Sequence, residues 1–294
     1  MNFGQLLTAM VTPFNEQGEI DFNETTNLVN HLIENGSDGL VVAGTTGESP
    51  TLTSEEKLAL FRHVVKVVDG RVSIIAGTGS NNTKASIEFT KKVEEIGVDG
   101  VMIVAPYYNK PNQKGLYEHF KAIAAETSLP VMIYNIPGRT SVNMTAETII
   151  ELSKIKNIVS VKESSGDLDQ MSEIIEHAEE GFTLYSGDDG LALPVLSIGG
   201  QGVISVASHV VGSEMKQMIK LYSEGQIQKA ASLHRKLLPV MNELFKHPNP
   251  IPVKAALALD SIKVGSVRLP LVPVDDEACQ SISQCLEDFR LQVK

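Results

Sequence analysis

Eight short apolar runs, separated by longer amphipathic stretches, limit the folds open to this chain more than any other feature. The runs are LLTAMVT (6–12), GLVVAG (39–44), VSIIAG (72–77), GVMIVAP (100–106), PVMIYN (130–135), IVSVKE (158–163), FTLYSG (182–187) and GVISVA (202–207). Each has the length of a strand and is apolar almost throughout, as expected of strands buried on both faces of a parallel sheet. The intervening segments have helical period. NETTNLVNHLIENG (23–36) gathers Leu28, Val29, Leu32 and Ile33 on one side, and SEEKLALFRHVVKVVDG (54–70) and NNTKASIEFTKKVEEIG (81–97) behave alike. Ser54 is the expected cap of the second of these helices, and Gly36, Gly70 and Gly97 stand where helices should end.

Eight strands alternating with helices predict an α/β fold, a closed (β/α)8 TIM barrel, in preference to an open doubly wound sheet, although strand count alone leaves the open sheet as the other topology. A weak internal repeat supports the unit structure. IENGSDGLVVAG and VEEIGVDGVMIVAP both run from glutamate through glycine to an Asp-Gly pair (Asp38, Asp99) and then a strand. The barrel is expected over residues 1–224 and a C-terminal helical appendage over 225–294, beginning with GQIQKAASLHRKLLPVMNELF.

The charge balance excludes some functions. With 25 basic and 36 acidic residues the net charge is −11, wrong for a nucleic-acid binder. No basic leader precedes the first apolar stretch, which is too short to cross a bilayer, so a cytoplasmic protein without membrane attachment is expected. Cys279 and Cys285, six apart, read as reduced structural thiols on one face of a helix. The histidines lack ligand spacing, which argues against a dedicated zinc site. Gly77-x-Gly79 follows a strand, but Asn82 occupies the place of the third glycine of a dinucleotide fingerprint. Asp188 and Asp189 read as a solvated or capping pair, and HPNPIPVKAAL (247–257) as a rigid lead-in to a helix.

In a barrel of this kind the active site forms where the strands end and the βα loops gather. There the chain places GTTGES (44–49), YYNK (107–110), Tyr134 with Asn135 and then Arg139, Lys162, SGDD (186–189), and Ile204 with Ser205. Singly, each has an ordinary reading: a surface lysine, a core tyrosine, a solvated arginine, turn glycines. Together they suggest imine chemistry. A lysine amine in a dry site loses its proton more readily and attacks a keto carbon, and the protonated imine acidifies the neighbouring carbon. A tyrosine hydroxyl backed by a threonine can relay the proton. Arg139 can grip one carboxylate in bidentate fashion, and the backbone amides around Thr45 and Thr46 can hold another.

The motifs GTTGESPTL, YYNKP, YNIPGRT, VKESSGD, GGQGVISV and NPIPVKAAL, in this order, resemble the class I pyruvate-dependent aldolase and lyase superfamily, most closely its dihydrodipicolinate synthase family, over essentially the whole chain. The resemblance implies that Lys162 forms the Schiff base with pyruvate and that Tyr134 moves protons. Thr45 would link Tyr134 to Tyr108 of a neighbouring subunit. Thr46 would bind the pyruvate carboxylate and Arg139 that of L-aspartate 4-semialdehyde, with Gly187 and Ile204 lining the pocket. It implies condensation to 4-hydroxy-tetrahydrodipicolinate without a metal or organic cofactor, on the way to diaminopimelate and lysine, by a homotetramer (a dimer of dimers) or a homodimer. The alternative is a sister aldolase, of the N-acetylneuraminate lyase or keto-deoxy-sugar-acid type; these generally lack an arginine at the position of Arg139. Members inhibited by lysine often carry histidine where this chain has Lys57 and glutamate where it has Ala85, while Asn81 matches. Inhibition by L-lysine is therefore expected to be weak or absent; initial rates measured against lysine concentration check this, and an inhibition constant below one millimolar contradicts it.

Overall fold

The computed structural model describes residues 3–293. Among these residues, eight parallel strands close into one barrel in chain order: β1 (Leu6–Ala9), β2 (Gly39–Val42), β3 (Ser73–Gly77), β4 (Gly100–Val104), β5 (Val131–Asn135), β6 (Ile158–Glu163), β7 (Thr183–Ser186) and β8 (Gly202–Ser205). Pairing of Leu7 with Ile204 joins β1 to β8, so the open sheet is excluded. The helices are α1 (Phe22–Glu34), α2 (Ser54–Val68), α3 (Thr83–Glu94), α4 (Gln113–Ala124), the single turn α5 (Pro137–Thr140), α6 (Ala146–Ser153), α7 (Leu168–His177), α8 (Ala192–Ser197) and α9 (Ser208–Ser223), followed by α10 (Ile227–Glu243), α11 (Ile251–Leu259) and α12 (Asp276–Val293). Each predicted run contains a strand, though β1 stops three residues before its run does. Met10 and Val11 remain buried after leaving the ladder, so hydrophobicity alone overstates the strand.

Strand alternation sorts the core into two shells. Leu7, Val41, Ile75, Met102, Met132, Tyr134, Tyr185 and Ile204 fill the barrel interior. Their neighbours Leu6, Leu40, Ile74, Ile103 and Val203 pack outward against Leu28, Phe61 and Phe120 of the surrounding helices. Helix ends follow local chemistry. The cap of α2 is Thr53 rather than Ser54: the Thr53 hydroxyl accepts from Glu56 N while the Glu56 carboxylate accepts from Thr53 N, closing a capping box that leaves Ser54 as the first helical residue. The Asp-Gly repeat has a mechanical meaning at the N-terminal face of the barrel. Asp38 accepts from the amides of Gln5 and Leu6, and Asp99 from that of Ile74, so each aspartate pins the start of the strand before its own. Lys216 also binds Asp38, and the backbone amides and Lys216 hold that carboxyl below its ordinary range against the opposing effect of burial.

Helices α10 and α12 pack together, and α10 also lies along α9. Both cysteines are free and half-buried on α12, but not on one face. Six residues at 3.6 per turn leave the side chains about 120° apart, and Cys285 reaches the core. No helix among the described residues is long and apolar enough to cross a membrane.

His209 is fully buried; its Nδ1 faces the Val206 carbonyl at 2.8 Å and its Nε2 accepts from Val11 N at 3.1 Å, which fixes a neutral ring. Burial pushes His209 down to about 4, and burial does the same for His119 beside Thr83. Both rings charge more readily in the unfolded chain, so stability is intact above pH 6.5 and is lost as pH falls toward 4. Denaturant unfolding should lose on the order of 2 kcal/mol per histidine between pH 7 and pH 5, and a neutral His209→Gln variant that folds should show a shallower acid slope.

Candidate active site

The closing residues of β5 and β6 are paired in parallel register, Tyr134 with Lys162 and Asn135 with Glu163. Lys162 is only 5% exposed, and its ammonium lies 4.4 Å from the centre of the Tyr134 ring. Among the described residues no carboxylate pairs with it. A buried amine against the Tyr134 ring, with no carboxylate bonded to it, leaves its nitrogen open to a substrate that enters the rim.

Gly187 follows β7 and closes against the same lysine. A Cβ there would collide with Ser164 Oγ and sit 2.9 Å from Lys162 Cε. The Gly187 amide is tied to the Glu163 carbonyl at 2.8 Å, so the backbone has no freedom to retreat. Ile204 lies in the interior shell with Tyr134 and Tyr185, beneath the rim. Thr45, Tyr134 and Arg139 line one cavity of about 270 Å³, together with Thr140, Tyr107, Lys57 and the Gly77–Ser80 turn. Thus the dinucleotide-like glycines form part of the pocket wall. At Gly77 a Cβ would strike the Ala43 backbone, which explains a glycine there without any nucleotide.

Tyr108 stands apart from this group. It is 89% exposed, with a backbone φ of +72°, and projects from the β4–α4 loop while its neighbour Tyr107 lines the cavity. Thr46 is buried, and its hydroxyl accepts from Asn249 Nδ2 at 2.8 Å. Lys57 lies in the cavity wall with its ammonium 5.8 Å from the Phe89 ring centre, and burial lowers its pKa.

Several residues that shape this geometry have no role, or a different one, in the sequence-based expectations. On the outward side of the Tyr134–Lys162 pair, Asn135 Nδ2 donates to Asn143 Oδ1 at 2.8 Å and to Glu163 Oε2 at 2.9 Å, and Asn135 Oδ1 accepts from Met144 N. Glu163 also accepts from Ser165 N and Gln170 Nε2. Burial raises its pKa, with these donors opposing the rise. The network links the end of β6 to the segment that carries Arg139. Asp189 corrects the expectation of a solvated pair: Asp188 does cap a turn through Gly190 N, but Asp189 is buried, and its carboxylate accepts from Val206 N and Ala207 N at 3.1 and 2.8 Å. Its pKa is raised by burial. Lys254, inside the supposed lead-in helix, pairs with Glu48 at 2.7 Å with both side chains buried. Burial pulls Lys254 down to about 8 against the attraction of Glu48. The only sequence signal for this pair was a lysine amid apolar residues. Among the described residues no group of three or more His, Cys, Asp or Glu side chains is placed to hold a metal ion.

A buried lysine against a tyrosine at the rim of a parallel barrel, beside an arginine-bearing pocket, invites comparison with known proteins. The model of the dihydrodipicolinate synthetase family matches residues 2–289. The chain belongs to this family. Over 277 residues it is 63% identical to 4-hydroxy-tetrahydrodipicolinate synthase 1 of Halalkalibacterium halodurans, covering 94% of each chain. To the 4-hydroxy-tetrahydrodipicolinate synthase of Bacillus subtilis it is 60% identical over 290 residues, 98% of this chain and all of the other. The crystal structure of a dihydrodipicolinate synthase from Bacillus anthracis superposes with a TM-score of 0.96 at 56% identity, covering 98% of both chains.

For this member of the dihydrodipicolinate synthetase family, Gly187→Ala should fold but displace the Lys162 side chain. A shift of about 1 Å in a reacting group costs roughly 100-fold in rate. Turnover should fall by about that factor with the melting temperature little changed; an unimpaired rate would show that Gly187 does not set the position of the amine.

Proposed function

We propose that the chain is a 4-hydroxy-tetrahydrodipicolinate synthase that joins pyruvate to L-aspartate 4-semialdehyde through an imine on Lys162. The observation that carries the reading is the buried Lys162 amine stacked on Tyr134 at the carboxyl ends of β5 and β6. The full-length likeness to relatives of that name supports it.

In this reading the Lys162 amine attacks the keto carbon of pyruvate, and loss of water leaves a protonated imine. The cation draws electrons from the adjacent methyl group, whose proton passes to the Tyr134 oxygen as Tyr134 hands its own proton on toward Thr45, giving an enamine. The enamine carbon attacks the aldehyde carbon of the semialdehyde, and the new alkoxide takes a proton. The substrate's own amine then attacks the imine carbon, and the C–N bond to Lys162 breaks. This closes the six-membered ring and returns the free lysine. Tyr134 and Thr45 share one cavity wall, which suits a proton relay between them. Tyr108, exposed on a loop, fits as a group supplied to the Thr45–Tyr134 pair of a second copy, in a homodimer or a homotetramer.

The two carboxylates need separate receptors. Thr46, with the turn amides of the 44–48 loop, is assigned the small keto acid. Arg139, on the short turn α5 at the cavity mouth, is assigned the semialdehyde, which enters second. Arginine at this place favours the semialdehyde over a sugar acid, whose hydroxyl-rich chain needs neutral donors.

Borohydride added in the presence of pyruvate should convert the imine to a stable secondary amine, and peptide mass mapping should find it on Lys162. An adduct on another residue, or none, overturns the mechanism. Arg139→Ala should leave this trapping intact and lower kcat/KM for the semialdehyde by roughly 100-fold, the cost of removing one partner from a charge-assisted bidentate pair.

A further inference from the structure

The segment NPIPVKAAL lies far in sequence from the catalytic lysine, yet it touches the carboxylate-binding loop at two points. Asn249, buried just before α11, donates from Nδ2 to Thr46 Oγ1 at 2.8 Å across 203 positions of sequence. Lys254, one turn into α11, pairs with Glu48, two residues beyond Thr46, the two side chains being 4% and 1% exposed. Glu48 takes a second bond at 2.9 Å from the backbone amide of Arg268. Lys254 is itself held by the Ser266 carbonyl at 2.8 Å and lies 4.3 Å from the centre of the Phe14 ring. Glu48 sits in the left-handed region at φ +55°, which a non-glycine residue keeps only when its surroundings impose it. The loop is thus fastened at its far end by a buried ion pair and met at its middle by a single amide donor.

The chemistry of that amide contact is directional. A threonine hydroxyl has one proton and two lone pairs. With the Asn249 N–H occupying a lone pair, the proton is left to point elsewhere, and Thr46 becomes a donor ready for an anion. We propose that Asn249 is a positioning residue that, on a loop anchored by Glu48 and Lys254, turns the Thr46 hydroxyl proton toward the carboxylate of the keto acid. The inference rests on the assignment of Thr46 to that carboxylate in the proposed function. Asn249 acts through Thr46 and touches no reacting atom.

The test uses the full-length protein and two independent readouts: the pyruvate concentration that half-saturates borohydride trapping on Lys162, and the steady-state KM of each substrate. Asn249→Ala should raise the pyruvate requirement about 5- to 10-fold, the usual weight of one hydrogen bond between uncharged groups, while the KM of the semialdehyde changes less than about twofold. Thr46→Val should have at least as large an effect, and Asn249→Ala added to Thr46→Val should raise the requirement no further, because residues acting through one contact are not additive. Should Asn249→Ala not fold, Asn249→Asp keeps the shape and accepts the Thr46 proton, and should raise the pyruvate requirement at least as much. An unchanged pyruvate requirement, equal losses for both substrates, or additive effects overturn the inference while leaving the imine mechanism standing. Failure of the unmodified chain to form any pyruvate adduct on Lys162 overturns the functional reading and this inference with it.

Discussion

The register between β5 and β6 is the constraint on which the rest of the site depends. In a parallel ladder successive side chains point to opposite faces, so a slip of one residue would send Lys162 into the helix layer and Glu163 into the barrel. Closure of the barrel limits that slip, because each strand is paired on both sides: Lys162 faces Tyr134 on β5 and Tyr185 on β7. The outward side adds a second restraint. Asn135 and Glu163 are bonded to each other where Tyr134 and Lys162 meet on the inward side. One pair of adjacent positions on each strand thus carries the proposed chemistry on one face and its lock on the other.

The protein buries several charged or titratable groups near the rim and treats them differently. Glu163 and Asp189 are given neutral donors, side-chain amides for one and backbone amides for both. Glu48 and Lys254 are given each other, with hydrogen bonds to the backbone. Lys162 is given a ring. Removing a partner from a buried charge is strongly destabilising, so the Glu48–Lys254 pair holds its loop firmly. The arrangement separates the groups that hold the loops from the lysine proposed to react, within one small region of the rim.

Much of this was visible before the fold. The strands were legible because burial on both faces demands unbroken apolar runs, and the helix ends because Gly36, Gly70 and Gly97 all adopt the positive φ that their positions require. Lys162, Tyr134, Thr45 and Arg139 were legible because they follow such runs, where barrel loops gather. Less legible was everything that depends on a distant partner. Asp189 looked like the solvated twin of Asp188 because nothing local shows the Val206 and Ala207 amides it reaches. Thr53 was passed over as a cap because a hydroxyl one position later looks equally suitable until the Glu56 bond is seen.

Two lysines summarise the division. Lys162 and Lys254 each stand among apolar residues, and the sequence by itself determined that Lys162 would close a barrel strand and that Lys254 would fall in a helical pattern beyond the barrel. Hydrophobic period is a local property and survives any rearrangement of distant parts. Only the tertiary structure decided that Lys254 meets Glu48 while Lys162 meets the face of Tyr134. A buried ammonium is defined by its neighbour, and in both cases the neighbour comes from another part of the chain, brought close only by the fold.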